Sequence, residues 1–238
     1  FDQALRFDPE LAPDYYNRGR GWHLVGKYRR AIEDYDQAIS LDPTFALAYN
    51  NRGLARAELG EYDRAMDDYN QAIHLDPKII EAYYNRGNAW SNLGKYSIAI
   101  ENYDQAIRLN SKLATGYYNR GLAWYYLEEY NRAIEDYDQA IRLDPELARA
   151  YNNRGIAWND LDEHYRAIDD YDQAIRLDPG FAFAYYNRGR AWHLLGKHSR
   201  AIEDYDRALQ FDPKFTLAYD NRGLALKALG GDQGEIEH

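Results

Sequence analysis

Cysteine is absent from this chain of 238 residues, and methionine occurs only once. Without cysteine, disulfides, thiolate nucleophiles and cysteine-ligated metal sites are all excluded. Long apolar runs are also missing: no stretch approaches the ~20 residues that a membrane-spanning helix needs. No basic segment followed by an apolar one suggests a secretory signal. From these absences we expect no membrane partner and a cytoplasmic location.

The chain also has no excess of positive charge. The chain has 29 lysines and arginines against 39 aspartates and glutamates, which gives a formal net charge of -10. Nucleic acids and anionic membrane surfaces are bound by basic faces. We therefore expect neither of them to be the main partner.

Recognisable catalytic patterns are absent too. The six histidines fall at different places in the sequence, and no glycine-rich phosphate loop follows a strand pattern. Paired acids such as Asp67-Asp68 and Asp169-Asp170 are typical of a solvated helix face. We expect no enzyme activity, no catalytic residue, no cofactor and no metal.

What the chain does contain is a repeat with a period of 34 residues. The tripeptide Asn-Arg-Gly occurs seven times at this interval. A fixed period of this length predicts a solenoid, in which one supersecondary unit stacks on copies of itself. The asparagines of the seven copies are Asn17, Asn51, Asn85, Asn119, Asn153, Asn187 and Asn221.

Each repeat predicts two helices. In the copy that begins at Ala148, Tyr151, Gly155 and Trp158 lie on one stripe of a helix that ends near Leu161. Asp162 and Glu163 interrupt the pattern where four other copies have glycine, a common helix terminator. In the second helix, Ala167, Tyr171 and Ala174 form a similar stripe, which ends at Asp178-Pro179.

This arrangement resembles the tetratricopeptide repeat (TPR) family. The family has an early aromatic residue and a glycine in its first helix, then alanine, an aromatic residue, alanine and proline in its second. The resemblance implies an all-α fold, a right-handed superhelix of antiparallel helix pairs. First helices would line its concave face and second helices its convex face.

In this frame, residues 1–11 are the end of a preceding second helix. Residues 12–215 are six full repeats, and residues 216–238 are a partial seventh with a degenerate tail. The chain begins at Phe1 in the middle of a repeat, so we expect it to be part of a longer protein. Because the two ends are complementary parts of one repeat, head-to-tail self-association is a further hypothesis.

Core packing explains most aromatic residues in the repeats. The first-helix tyrosines, such as Tyr151, and tryptophans, such as Trp158, share one stripe of that helix, and the second-helix tyrosines, such as Tyr171, occupy its core aromatic position. All are predicted to be core residues. The arginines of Asn-Arg-Gly, such as Arg154, should be partly buried and need a partner. We predict that they pair with a second-helix series across neighbouring repeats; binding of acidic ligands is the alternative. That series is Asp34, Asp68, Asn102, Asp136, Asp170 and Asp204.

The seven asparagines are the main candidate binding residues. The resemblance places them toward the concave side, and their side chains offer both a donor and an acceptor to a peptide backbone. The alternative is that they tie neighbouring helices together. Adjacent aromatic residues complete the predicted peptide-binding set: Tyr84, Tyr118, Tyr125 and Tyr126.

The sequence thus predicts a protein-interaction scaffold that binds an extended peptide or a partner helix in its groove. Two alternatives stay open: a self-assembling structural module, and the regulatory arm of a larger enzyme. The lysine of the chaperone-tail-binding TPR clamp is replaced by tyrosine or asparagine here, so chaperone tails are not expected as ligands.

Overall fold

This computed structural model of the protein describes residues 11–234, which contain thirteen α-helices and no strand. The predicted all-α helical repeat is therefore confirmed. The helices are α1 (Ala12–Leu24), α2 (Tyr28–Leu41), α3 (Ala46–Glu58), α4 (Tyr62–Leu75), α5 (Ile80–Asn92), α6 (Tyr96–Leu109), α7 (Ala114–Tyr126), α8 (Tyr130–Leu143), α9 (Ala148–Asp160), α10 (His164–Leu177), α11 (Ala182–Leu194), α12 (His198–Phe211) and α13 (Thr216–Gly234).

The helices form two compact units that divide after Lys112, with α1–α6 in the first and α7–α13 in the second. Odd-numbered helices are called first helices below. Within each unit, every first helix except α13 packs against the even-numbered second helix that follows it. That second helix packs in turn against the next first helix, and neighbouring first helices also touch. Within each unit, we call the side that its first helices share the first-helix face.

The turn inside each pair needs one residue with left-handed backbone. Gly26 has φ of 72°, its N–H donates to the His23 carbonyl at 2.9 Å, and the Lys27 N–H donates to the Trp22 carbonyl at 2.9 Å. These two hydrogen bonds cap the C-terminal end of the first helix. In two repeats a residue other than glycine takes the position, Glu128 with φ of 61° and Asp162 with φ of 60°. The predicted break at Asp162 is thus confirmed.

The turn between repeats is built by an aspartate and a proline. The Asp178 carboxylate accepts a hydrogen bond from the Gly180 N–H at 3.0 Å, and Pro179 cannot continue the helix. The same aspartate bond recurs at the ends of α2, α4 and α12. Local sequence alone therefore ends these second helices.

Close contact within a pair depends on the glycine of Asn-Arg-Gly. A Cβ placed on Gly155 would lie 2.7 Å from Cε1 of Tyr171, which is 1% exposed. Ala167 and Ala174 are completely buried beside it. The predicted packing of small residues around a second-helix tyrosine is what the structure contains.

The first-helix aromatic residues are less buried than predicted. Tyr151 and Trp158 are only half-buried, and a guanidinium group lies over each ring. Arg154 lies 5.5 Å from the Tyr151 ring centroid and Arg166 lies 4.7 Å from that of Trp158. The core is therefore formed mainly by alanines and second-helix tyrosines.

No helix between residues 11 and 234 is long and apolar enough to cross a membrane. The second-helix remnant predicted for residues 1–11 lies outside the described residues, except for its last residue. The end of the predicted degenerate tail, residues 235–238, also lies outside them.

Candidate functional site

The arginines of Asn-Arg-Gly bridge two second helices. Arg188 Nη2 lies 2.6 Å from Asp204 in its own repeat, and its Nη1 lies 2.5 Å from Asp172 in the preceding one. Arg154 forms the equivalent pairs with Asp170 and Asp138. Further pairs of one or both kinds are Arg18 with Asp34, Arg52 with Asp36 and Asp68, Arg120 with Asp136, and Arg222 with Asp206.

This arrangement corrects one part of the predicted seam. The predicted acids, such as Asp170, pair with the arginine of their own repeat. The contact with the neighbouring repeat is made by a second acid on each second helix, two residues after the predicted one. Asp138, for example, follows Asp136 and pairs with Arg154 of the next repeat. Residues two apart lie on opposite sides of a helix. One carboxylate therefore faces its own first helix and the other faces the next.

Pairing largely neutralises the charges of these arginines and aspartates. Burial would lower the pKa of Arg188, but hydrogen bonds to Asp204 and Asp172 raise it above its ordinary value. Burial also raises the pKa of the Asp204 carboxyl, although Arg188 opposes this shift. Desolvation thus offsets much of the attraction, and we assign the bridges mainly to fixing helix positions. The structure favours this role over binding acidic ligands.

The asparagines of Asn-Arg-Gly form a row of hydrogen bonds between first helices. Asn153 Nδ2 donates to the Tyr118 hydroxyl at 3.0 Å, and Asn187 Nδ2 donates to Asn152 Oδ1 at 3.0 Å. The same contact, with a partner 35 residues earlier, links Asn51 to Tyr16, Asn85 to Asn50, and Asn221 to Tyr186. Asn17 and Asn119 are half-buried at the equivalent positions.

These bonds show that several asparagine amides do tie first helices together. They engage Nδ2, and the Oδ1 atoms of Asn51 and Asn153 accept hydrogen bonds from the neighbouring Asn50 and Asn152. The peptide-binding role of the predicted set is untested. That role stays a prediction.

A cleft recurs between neighbouring first helices, with a second-helix tyrosine on its floor. In the first unit one cleft lies between α1 and α3 above Tyr35, and another lies between α3 and α5 above Tyr69. In the second unit the equivalent cleft lies between α7 and α9 above Tyr137. Similar recesses with different linings thus occur in both units.

The cleft above Tyr137, which we call the aromatic cleft, is the most apolar of the three in its side chains. It has a volume of about 320 Å³. The rings of Tyr125 and Tyr126 are 5.9 Å apart in an edge-to-face arrangement, and the Tyr125 hydroxyl donates to Asp160 at 2.7 Å. The cleft is lined by Leu122, Tyr125, Tyr126, Tyr137, Asn153 and Ile156.

The four predicted aromatic residues have two different placements. Tyr125 and Tyr126 line the aromatic cleft, and Tyr126 is 52% exposed. Tyr84 and Tyr118 are half-buried, and their rings pack on Tyr103 and Tyr137 at 6.1 Å and 6.0 Å. Of the predicted set, the cleft brings together Tyr125, Tyr126 and Asn153.

Sequence reasoning missed Leu122, Ile156 and the floor residue Tyr137 as parts of a site. A signal was present, because the residue after each Asn-Arg-Gly varies widely, from Arg20 and Asn88 to Leu122. Variation at one fixed repeat position marks a surface that the common fold does not require.

Among the described side chains, those of residues 11–230, no group of three or more histidines, aspartates or glutamates could hold a metal ion. Two histidines are in contact in the last full repeat, where His193 Nδ1 and His198 Nδ1 are 3.1 Å apart. Burial and the neighbouring His198 lower the pKa of His193.

Profiles of known protein families match most of the chain. The profile described as TPR repeat matches residues 25–60 and 53–94. The profile described as tetratricopeptide repeat matches residues 80–113, 114–147, 148–181 and 182–215. The chain belongs to the tetratricopeptide repeat family. A search among curated proteins found no significant match to this TPR chain.

Solved structures show the same fold. The chain is similar to YrrB, described as a TPR protein with an unusual peptide-binding site, with a TM-score of 0.66 and 24% identity over 79% of this chain and 97% of YrrB. It is similar to MamA, with a TM-score of 0.64 and 29% identity over 68% of this chain and 95% of MamA. It also resembles pilF of Pseudomonas aeruginosa, with a TM-score of 0.78 and 17% identity over 89% and 96% of the two chains.

Proposed function

We propose that this TPR chain is a protein-interaction scaffold that binds an extended peptide or a partner helix along its first-helix face. The TPR fold is typical of such scaffolds, and one structural relative is described as having a peptide-binding site. The Asn-Arg-Gly repeats supply the regular row of polar groups on this face.

The observation that carries the proposal is the aromatic cleft. Its rim residue Tyr126 is half exposed, while aliphatic and aromatic side chains form its walls. Rigid aromatic side chains in a recess are frequent energetic centres of interfaces. A cleft of about 320 Å³ lies at the small end of ligand pockets and suits one side chain of a longer ligand.

Spacing along the face also supports an extended ligand. Packed helices lie ~8–10 Å apart, and an extended peptide advances ~3.3–3.6 Å per residue. Successive first helices within a unit would therefore meet about every third ligand residue. The asparagines, including Asn153, would contact the peptide backbone, and the clefts would select its side chains.

The test is selection of peptides from a random display library, followed by titration of the selected peptides. Tyr126→Glu should weaken binding at least tenfold, because it places a charge at the cleft rim. The matched control is Tyr165→Glu on the second helix α10, where the tyrosine is 64% exposed. Equal loss in both variants, or selection of no peptide by the wild-type protein, would overturn the proposal.

Self-association is a second candidate function, supported by exposed apolar side chains on α13. Tyr219 and Leu224 are 53% and 56% exposed there. Multi-angle light scattering at rising concentration tests it, with Leu224→Glu as the disrupting variant. A strict monomer at all concentrations would contradict this second candidate.

A further inference from the structure

The cleft above Tyr69, which we call the amide cleft, is the most polar of the three clefts in its side chains. Helix α5 contributes Asn85, Asn88 and Asn92, which lie on one stripe at steps of three and four residues. Glu58, the last residue of α3, completes the polar lining. Three amides and one carboxylate therefore line a single recess of about 300 Å³.

The charge of Glu58 is not compensated within the protein. Glu58 is exposed, and its carboxylate forms no ion pair with a lysine or arginine among the described residues. Its neighbour on α1, His23, does not neutralise it. Burial lowers the pKa of His23, and the attraction of Glu58 opposes this shift only in part, so the imidazole is uncharged at neutral pH. The amide cleft thus keeps a net negative charge.

Accessible amide groups accompany this carboxylate. Asn92 is exposed at the end of α5, and its side chain forms no hydrogen bond with a described residue. Asn85 Nδ2 donates to Asn50 Oδ1 at 3.1 Å, whereas Asn85 Oδ1 accepts from no described residue and keeps contact with solvent. The Tyr69 hydroxyl on the floor is buried. The groups open to a ligand are therefore those of the walls.

We propose that the amide cleft is the anchor site for an arginine side chain of the bound peptide. The guanidinium donates to the Glu58 carboxylate and to the amide oxygen of Asn92. Asn85 stays available to the peptide backbone. This inference rests on the proposed peptide-binding function and names the ligand residue that the first unit selects.

The protein already uses both kinds of contact for its own arginines. Arg86 donates to the amide oxygens of Asn102 and Asn70 at 2.6 Å each, and Arg52 pairs with the Asp68 carboxylate at 2.6 Å. Hydrogen bonds between a guanidinium and a carboxylate are about twice as strong as neutral ones. A ligand arginine in the amide cleft would find a carboxylate and an amide together.

Arginine fits this site better than lysine does. A guanidinium presents five donors in a planar fork, whereas an ammonium group is a compact point charge with three donors. Leu54 and Tyr62 also line the cleft, beside the polar groups. The arginine methylenes can pack on the leucine, and the guanidinium plane can pack on the tyrosine ring.

The other two clefts do not share this chemistry. Arg20 and His23 line the cleft above Tyr35, and none of the described residues that line the aromatic cleft is charged. The net charge of -10 also favours the approach of a basic ligand. Selection of arginine should therefore depend on Glu58.

The experiment measures, by fluorescence anisotropy, the affinity of a peptide selected by the wild-type protein. The selected peptides should share one arginine. Replacing it with citrulline, a neutral side chain of nearly the same shape, should weaken binding about threefold to tenfold. Lysine at that position should bind with intermediate affinity. In the variant Glu58→Gln, the change from arginine to citrulline should alter the affinity less than about twofold.

The matched control is Glu101→Gln, which removes the same charge from an exposed position on the second helix α6. This control should keep the wild-type preference for arginine over citrulline. A charge-reversed variant, Glu58→Lys, should select peptides that carry aspartate or glutamate in place of the shared arginine.

Two kinds of failure can be told apart. Selected peptides without a shared arginine, or a citrulline effect of equal size in the wild type and in Glu58→Gln, would overturn the arginine anchor while peptide binding stands. Selection of no peptide by the wild-type protein would overturn the peptide-binding function, and the anchor with it.

Discussion

At the residue scale, the glycine of Asn-Arg-Gly allows two helices to approach closely because it has no side chain. In six repeats, a Cβ on this glycine would lie 3.0 Å or less from the ring of a second-helix tyrosine. The seventh copy, Gly223 on α13, has nothing within 4 Å of the equivalent point. The same tripeptide therefore stands in a crowded and in an open environment within one chain.

Gly155→Ala and Gly223→Ala test this difference. We expect Gly155→Ala to destabilise the protein by ~1–3 kcal/mol, because its Cβ overlaps the buried Tyr171 ring. Gly223→Ala should be neutral or stabilising by up to ~1 kcal/mol, because alanine favours an open helix position. Chemical denaturation measures both. Similar effects of the two changes would refute the close-contact assignment.

At the element scale, arginine bridges set the position of each first helix between two second helices. Arg188 joins α11 to both α10 and α12 through Asp172 and Asp204. One repeat departs from this chemistry: Arg86 bonds to the neutral side chains of Asn70 and Asn102, at 2.6 Å each. Burial lowers the pKa of Arg86, which has no such carboxylate to oppose the shift.

The variants Arg188→Met and Arg86→Met separate two contributions to the free energy of unfolding: the cost of leaving a buried carboxylate without its cation, and the loss of packing and hydrogen bonds. Arg188→Met leaves the buried Asp204 carboxylate without its cation, and we expect a loss of ~3 kcal/mol. Arg86→Met leaves only amides, so the loss should be ~1 kcal/mol, that of ordinary hydrogen bonds. Urea unfolding measures the two free energies. An equal or larger loss for Arg86→Met would contradict the charge argument.

A second prediction at this scale concerns the contact between His193 at the end of α11 and His198 at the start of α12. The pKa of His193 is lowered in the folded state, so the unfolded chain binds more protons as the pH falls through ~6.5. This histidine therefore contributes stability above that pH, and the contribution is lost on acidification.

Thermal unfolding at about pH 7.5 and pH 5.5 measures the effect. The double variant His193→Tyr/His198→Tyr copies the pair Tyr125–Tyr130 of the fourth repeat, whose rings are 5.5 Å apart. We expect its melting temperature to fall less on acidification than that of the wild type. An identical fall in both proteins would exclude the histidine pair as its source.

At the scale of the whole molecule, stability is distributed along a chain of local contacts. Within each unit, helices touch only near neighbours in the sequence. A repeat protein of this kind behaves as a sum of repeat stabilities and neighbour interactions. Damage to one repeat should therefore stay near that repeat.

Hydrogen exchange of Gly155→Ala provides the test. Protection should fall most in α9 and α10, which contain the altered contact, and less in the adjoining α8 and α11. Helices α1–α4 of the first unit should keep wild-type exchange rates. A uniform loss of protection from α1 to α13 would show global cooperativity and contradict the local description.

Much of the fold was predictable because its signals are local and repeated seven times. The period predicted the repeat, and the helix limits around Ala148 and Leu177 followed from glycine, aspartate and proline signals. The burial of Tyr151 was overestimated, because a stripe at helical spacing does not distinguish a fully buried position from a half-buried one.

The sequence by itself determined the helix pairs, their turns and the crowded glycine–tyrosine contact, since each depends on residues at fixed spacing within one repeat. Only the tertiary structure decided which acid each arginine meets, because two acids two residues apart face different helices. It also decided that Leu122, Tyr126 and Ile156 share a cleft above Tyr137. These four residues lie on the three helices α7, α8 and α9. Their contact depends on how neighbouring repeats pack, which no local pattern specifies.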